Sequence, residues 1–218
     1  MTLYERIYFF LGCMFCVVVI VGNIIFQKFI HISIPSILDL EVSVGVLLYP
    51  ITFLISDLLT EFYGKKRAKY VIQVTITISF LVLCLLYISV NLKAVDWSAI
   101  NDEQFEKIFS VYNAGTLASI IAMYIGQIID ITVFSWLKAK TNGKHLWLRN
   151  NVSTIIAQFF DTVTVLSILC VFNILPLSQL SNVFISSFIL KIIAAIIDTP
   201  FCYLAHFIVN DIIKDQRK

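Results

Sequence analysis

Six stretches of this chain, residues 7–27, 42–62, 70–92, 108–137, 150–175 and 181–210, carry little or no charge. A helix of about 20 apolar residues crosses the ~30 Å of hydrocarbon in a bilayer. Longer stretches fit by tilting or by extending past the lipid. Lipid offers the backbone no hydrogen bonds, so each stretch is expected to satisfy its own N–H and C=O groups as a helix. A membrane barrel would instead show shorter strands of alternating polarity, and the sequence has no such pattern. Composition points the same way. Of 218 residues, 59% are hydrophobic and 14% charged, against roughly 45–50% and about 25% in soluble domains.

The expected fold class is therefore all-α: a polytopic membrane protein, one transmembrane domain spanning residues 1–218. Its six helices are expected at about 7–29, 42–63, 70–92, 108–137, 150–175 and 181–210. The first apolar run exceeds the ~7–15 residues of a signal-peptide core and has no small-x-small cleavage site, so it reads as a retained helix.

Charge in the connections sets the orientation. One side collects Arg6, the cluster Lys65-Lys66-Arg67-Ala68-Lys69, then Lys138, Lys140, Lys144 and Arg149, and finally Lys214, Arg217 and Lys218. The other side has Lys28, Lys93 and Lys107 beside Asp96, Asp102, Glu103 and Glu106. The excess of Lys and Arg on cytoplasmic loops places both termini in the cytoplasm. Gly64, before the first basic cluster, is expected to end the second helix. Pro35 and the apolar residues 31–38 lie in the first connection, where the sequence leaves a short interfacial element open. A net charge of +2 does not argue for nucleic acid.

Cys13, Cys16, Cys84, Cys170 and Cys202 all fall in apolar segments, where reduced, packed thiols are expected rather than a disulfide framework. His31, His145 and His206 show no paired-ligand spacing, and no phosphate loop or nucleophile motif occurs. No metal, cofactor or catalytic residue is indicated.

Charges at membrane depth cost about 2.5–3.5 kcal/mol each on insertion scales and usually face inward for function or pairing. Asp57, Glu61, Asp130, Asp161, Lys191 and Asp198 occupy such positions, five acids to one base. Asp57 and Glu61, four apart, share a helix face. Gln127-x-x-Asp130 in the fourth helix recurs as Gln158-x-x-Asp161 in the fifth, each setting an amide beside a carboxylate. Asn150, Thr154, Ala157 and Asp161 form one polar, small-residue stripe. Tyr49-Pro50 and Thr199-Pro200 are read as helix interruptions that free a carbonyl. Gly22-Asn23 places a small residue beside an amide in the first helix. Asn23, like Gln73, also fits plain bonding between helices.

These residues match a known pattern. Tyr49-Pro50-x-Thr52-Phe53-Leu54-x-x-Asp57-Leu58 followed by Gly64 resembles the queuosine precursor transporter family. So do Gly126-Gln127-x-x-Asp130, Leu146-Trp147-Leu148-Arg149-Asn150-Asn151-x-Ser153-Thr154, Gln158-x-x-Asp161-Thr162, Lys191 and Asp198-Thr199-Pro200. The resemblance runs from Asn23 to about Tyr203. It implies a six-helix importer of 7-deazaguanine bases (7-cyano-7-deazaguanine, 7-aminomethyl-7-deazaguanine or queuine) for tRNA modification, in the cell (inner) membrane. It also implies distant similarity to the substrate-binding subunits of energy-coupling-factor vitamin transporters. The first helix reads Gly12-Cys13-Met14-Phe15-Cys16-Val17-Val18-Val19, without the alanine pattern used for docking there, so coupling-factor subunits are not indicated.

The expected substrate site comprises Asn23, Asp57, Gln127, Asp130, Gln158, Asp161 and Lys191. Tyr49, Phe53, Glu61, Asn150, Thr154 and Asp198 form a second rank. A carboxylate accepts the adjacent N–H donors of a guanine-like edge, while Gln, Asn or Lys donates to the ring carbonyl. Tyr49, Phe53, Phe159 and Trp147 are candidates to stack on the bicyclic ring. The expected partners are a nucleobase-like molecule and the bilayer, with a homo-oligomer left open and no direct nucleic-acid contact. Two other classes stay open: a binding subunit of a multiprotein vitamin importer, and a membrane-embedded enzyme.

Overall fold

The computed structural model describes residues 2–25, 28–34, 38–109, 114–173 and 176–215. In chain order the elements are α1 (Leu3–Ile25), β1 (Phe29–Ile34), β2 (Leu38–Ser43), a 3-10 turn (Val44–Leu48), α2 (Tyr49–Val90), α3 (Asp102–Phe109), α4 (Ala114–Lys140), α5 (Leu146–Val171), a second 3-10 turn (Leu177–Gln179) and α6 (Leu180–Asp215). Five of these helices, α1, α2, α4, α5 and α6, are long and apolar enough to cross a membrane.

Their surfaces demand lipid. Only 17% of the most apolar window of α1 and 20% of that of α6 is buried within the protein. Phe9, Phe10, Phe80, Ile196, Ile197, Phe201 and Phe207 all point outward. So much exposed apolar surface is stable only in an apolar solvent. The chain is a multi-pass membrane protein.

The longest helix needs separate treatment. At about 1.5 Å per residue, 42 residues would run to about 63 Å, twice the hydrocarbon thickness. It is not straight: Gly64 has φ 80° and ψ 164°, outside helical geometry. Contacts with α1 show what happens there. Near the end of the first half, Tyr4 Oη donates to the Phe62 carbonyl at 2.6 Å, while Gly22 lies against Leu48 at its beginning. Residues 49–63 therefore run antiparallel to α1. Past Gly64, Tyr8 Oη donates to the Arg67 carbonyl, Gly12 packs on Val71, and Ile20 and Asn23 meet Ser79, Leu83 and Leu86. Residues 65–90 run parallel to α1, so the chain reverses at Gly64. A Cβ is disfavoured at this φ, whereas glycine reaches it freely.

Sequence expectations differ from the structure at several places here. The described part of the first connection is a pair of antiparallel strands, with Phe29 opposite Ser43 and Ile34 opposite Leu38; Pro35 lies outside the described residues, and the other regular elements among the described residues are helical. Val42 belongs to β2 and not to the second helix, consistent with the β-branched residues Ile30, Ile32, Ile34 and Val42 that favour strands. Pro50 sits in the first turn of α2, where its missing N–H breaks no helical bond; it does not interrupt the helix. Pro200 does lie inside α6. The Lys65–Lys69 segment is helical rather than a loop, and Ala68 within it is fully buried.

The core is formed where Leu11, Phe15 and Val19 of α1 meet Ile55, Leu58, Leu59 and Ile72 of α2 and Met123 and Ile131 of α4. The five cysteines remain thiols, but Cys13 and Cys84 are exposed on the outer surface instead of packed. Helix α4 packs tightly on α5. A Cβ at Gly126 would stand 3.2 Å from Asp161 Cβ and 3.5 Å from the Ala157 carbonyl, so glycine allows the two Gln-x-x-Asp helices to touch.

Candidate functional site

Four helices converge on one buried polar centre. From α2 come Ser56 and Asp57, from α4 Gln127 and Asp130, from α5 Asn150, Ser153, Thr154, Gln158, Asp161 and Thr162, all buried. Lys191 enters from α6. Gln127 and Asp130 of α4, and Asn150, Thr154, Gln158 and Asp161 of α5, recur at the three- and four-residue spacings that keep neighbours on one helix face.

Asp130 is at the middle, with no exposed surface. Ser56 Oγ approaches one carboxyl oxygen and Thr154 Oγ1 the other, each at 3.4 Å. The side chains of Asp57 and Ser153 also face it. Two carboxyl groups thus face each other from α2 and α4, ringed by hydroxyls. Two turns along α5 from Thr154, Asp161 accepts a hydrogen bond from Lys191 Nζ, which also donates to Thr162 Oγ1 at 3.1 Å. The ammonium stands 5.3 Å from the centroid of the Tyr49 ring, and that ring stacks on Phe53. Lys191 thereby links an ion pair to an aromatic wall.

Some groups in this centre lack partners. Neither Gln127 Nε2 nor Oε1 has a hydrogen bond, and Gln127 has no exposed surface. Asn150 Oδ1, Gln158 Oε1 and Asp161 Oδ1 are likewise without one. A buried polar group left unmade costs about 1–3 kcal/mol, and native proteins rarely keep several together without a reason. The unpartnered set contains both a donor and acceptors, so it suits a ligand that offers N–H groups and a carbonyl on one edge.

The remaining sequence candidates fall elsewhere. Asn23 lines a small crevice with Ile20, Ile24, Ser79, Leu83 and Ile120, and its Nδ2 has no partner there. Phe159 is 42% exposed and Trp147 51% exposed; neither lines the polar centre. Phe159 follows Gln158 by one residue, about 100° around the helix, and packs on Phe184 and Phe188 instead. The side chain of Asp198 lies outside the described residues.

Glu61 belongs to a second cluster. Its carboxylate pairs with Arg149 at 2.7 Å and with Lys138 at 3.0 Å. Arg149 Nη1 also donates to the Gly143 and Lys144 carbonyls at 2.7 and 3.2 Å, and its guanidinium lies over the Phe134 ring. Reading Arg149 as a loop charge missed this: it is 2% exposed, inside the first turn of α5. The signal was its place one residue before the Asn150 stripe. Five acids to one base was therefore an incomplete count, since Arg149 and Lys138 both enter the bundle to meet Glu61.

Residues 43–205 match the family described as "Putative vitamin uptake transporter", a segment that holds every group of the polar centre and leaves out α1. A curated relative from Bacillus subtilis (strain 168), described as "Probable queuosine precursor transporter", is 28% identical over 171 residues, covering 78% of this chain and 74% of the relative. No solved structure matches the chain.

Proposed function

This chain belongs to the vitamin uptake transporter family, and from that premise we propose that it imports 7-deazaguanine bases used as queuosine precursors. The observation that carries the proposal is Gln127, an amide with no exposed surface and neither polar atom partnered. It sits one turn from Asp130 and on the helix that touches the second Gln-x-x-Asp pair. The edge of a deazaguanine bears adjacent N–H donors and one carbonyl. A carboxylate, Asp130 or Asp161, accepts the donors, and Gln127 Nε2 or Lys191 donates to the carbonyl. Gln158 Oε1 supplies a further acceptor, and Tyr49 with Phe53 offers a face for the bicyclic ring. Asp57, Asn150 and Thr154 complete the lining. Similarity to the Bacillus subtilis relative, described as a queuosine precursor transporter, supports the substrate class.

The protein is proposed to cross the cell (inner) membrane six times. The reversal at Gly64 supports counting the two halves of α2 as separate spans. Even span number and the side on which Lys65–Lys69 and Lys138–Lys144 gather support a cytoplasmic location for both termini. Transport moves the base intact, so no catalytic residue is assigned.

The test is rescue. The protein is expressed in cells unable to make the precursor, 7-cyano-7-deazaguanine, 7-aminomethyl-7-deazaguanine or queuine is supplied, and queuosine in tRNA is measured. Restored queuosine with at least one base supports the proposal. Confirmed membrane expression with no rescue by any of the three rejects it.

A further inference from the structure

Away from the polar centre, at the end of the bundle where the chain reverses, the first turns of α1 meet the helix after Gly64. Glu5, Tyr8 and Phe9 on one side and Lys66, Arg67 and Tyr70 on the other line an open cleft of about 380 Å³. Its chemistry is divided. Lys66 and Arg67 are exposed cations, while Phe9 is 59% and Tyr70 63% exposed. Glu5 is turned into the N-terminal turn, where its carboxylate accepts from the Thr2 N–H at 3.0 Å.

The cleft is also held in shape. Tyr8 Oη donates to the Arg67 carbonyl at 3.1 Å, and the Arg67 guanidinium stands 5.6 Å from the centroid of the Tyr8 ring. This contact holds the exposed Arg67 guanidinium at the cleft, and its planar fork of N–H groups suits an anion. Below, Gly12 packs on Val71 and the apolar flanks of both helices begin. The cleft therefore lies at the boundary between water and lipid, where aromatic rings and long cationic side chains settle.

We propose that this cleft is a binding site for the phosphodiester of an anionic phospholipid. The phosphate would be held by Arg67 and Lys66, and the glycerol and upper acyl carbons would lie against Phe9 and Tyr70. A phosphodiester is the group that a planar guanidinium and an ammonium recognise together. The exposed aromatic rings decide for lipid over a free phosphate, because a soluble anion has no apolar part to cover them. The site is separate from the substrate centre and does not rest on the transport assignment.

The experiment uses the purified full chain in detergent. Lipid retention is measured by native mass spectrometry with phosphatidylglycerol, with phosphatidylcholine and with inorganic phosphate. The wild type is expected to retain phosphatidylglycerol and not phosphatidylcholine. The Lys66→Ala/Arg67→Ala double variant is expected to bind it about thirtyfold more weakly, about fivefold per cation removed. Lys140→Ala, which removes a cation that lies over Trp136 and outside the cleft, is expected to leave retention unchanged, and Arg67→Lys to recover part of it. Equal retention by wild type and double variant, or an equal loss with Lys140→Ala, would overturn the site. Inorganic phosphate displacing phosphatidylglycerol at millimolar concentration would overturn the lipid assignment.

Discussion

Arg149 meets Glu61 near the end of the bundle, Nη2 to Oε2 at 2.7 Å, with the guanidinium almost fully buried. One contact joins α5 to α2, and Lys138 on α4 closes the triangle. Removing one partner of a buried pair leaves an uncompensated charge, at a cost of about 3–5 kcal/mol. Arg149→Ala is expected to destabilise the protein by about that much in a denaturant titration in detergent. Glu61→Gln should cost at least as much, since it strands the buried Arg149 guanidinium, whereas Arg149→Ala leaves Glu61 its ion pair with Lys138. The Glu61→Leu/Arg149→Met pair should recover much of the loss. A cost for Arg149→Ala below about 1 kcal/mol would show that the cluster is solvated.

Lys191 and Asp161 invite a different experiment. Lys191→Met alone strands the Asp161 carboxylate, so both stability and uptake should fall. Adding Asp161→Asn should restore stability, because the double variant has no unpaired charge. Uptake should stay lost. Recovered uptake in the double variant would make the pair a structural link only.

Gln127 separates binding from stability most cleanly. Its amide atoms are buried without partners, so Gln127→Leu removes a desolvation penalty. Stability without ligand is expected to stay level or rise by about 1 kcal/mol, while ligand binding falls at least about tenfold. A loss of stability with binding intact would assign Gln127 to the core.

Gly126 tests the closeness of the paired motifs. A methyl group there must fit where a Cβ would stand 3.2 Å from Asp161 Cβ. Gly126→Ala should cost about 1 kcal/mol, and Gly126→Val about 1–3 kcal/mol with loss of transport. Unfolding and uptake measured on the same preparations check this. A Gly126→Val variant of wild-type stability and activity would mean that α4 and α5 separate freely.

Much of this arrangement was legible in the sequence, for physical reasons that also explain the gaps. Long uncharged stretches and helical spacing marked the spanning helices and set Asp57, Asp130, Asp161 and Lys191 at depth. A shared site for these groups was expected, but which of them meet, Asp57 with Asp130 and Lys191 with Asp161, was not visible, because spacing fixes a face on one helix and says nothing about its neighbour. Arg149 looked like a topological charge since it follows Lys144 in a basic connection; only the tight turn at Asn142, Gly143 and His145, all at positive φ, starts α5 early enough to carry it inside. The strand pair before α2 was hidden by an apolar run that periodicity alone does not divide between strand and helix.

The most direct test of a deazaguanine transporter is uptake by the purified protein alone. Wild-type protein is reconstituted into sealed vesicles, and entry of labelled 7-cyano-7-deazaguanine, 7-aminomethyl-7-deazaguanine or queuine is followed without added partner proteins. Saturable entry of at least one base, abolished by Asp130→Asn and by Gln127→Leu, is the predicted result. Vesicles that take up none of the three faster than protein-free controls, with the protein folded and inserted, would contradict it.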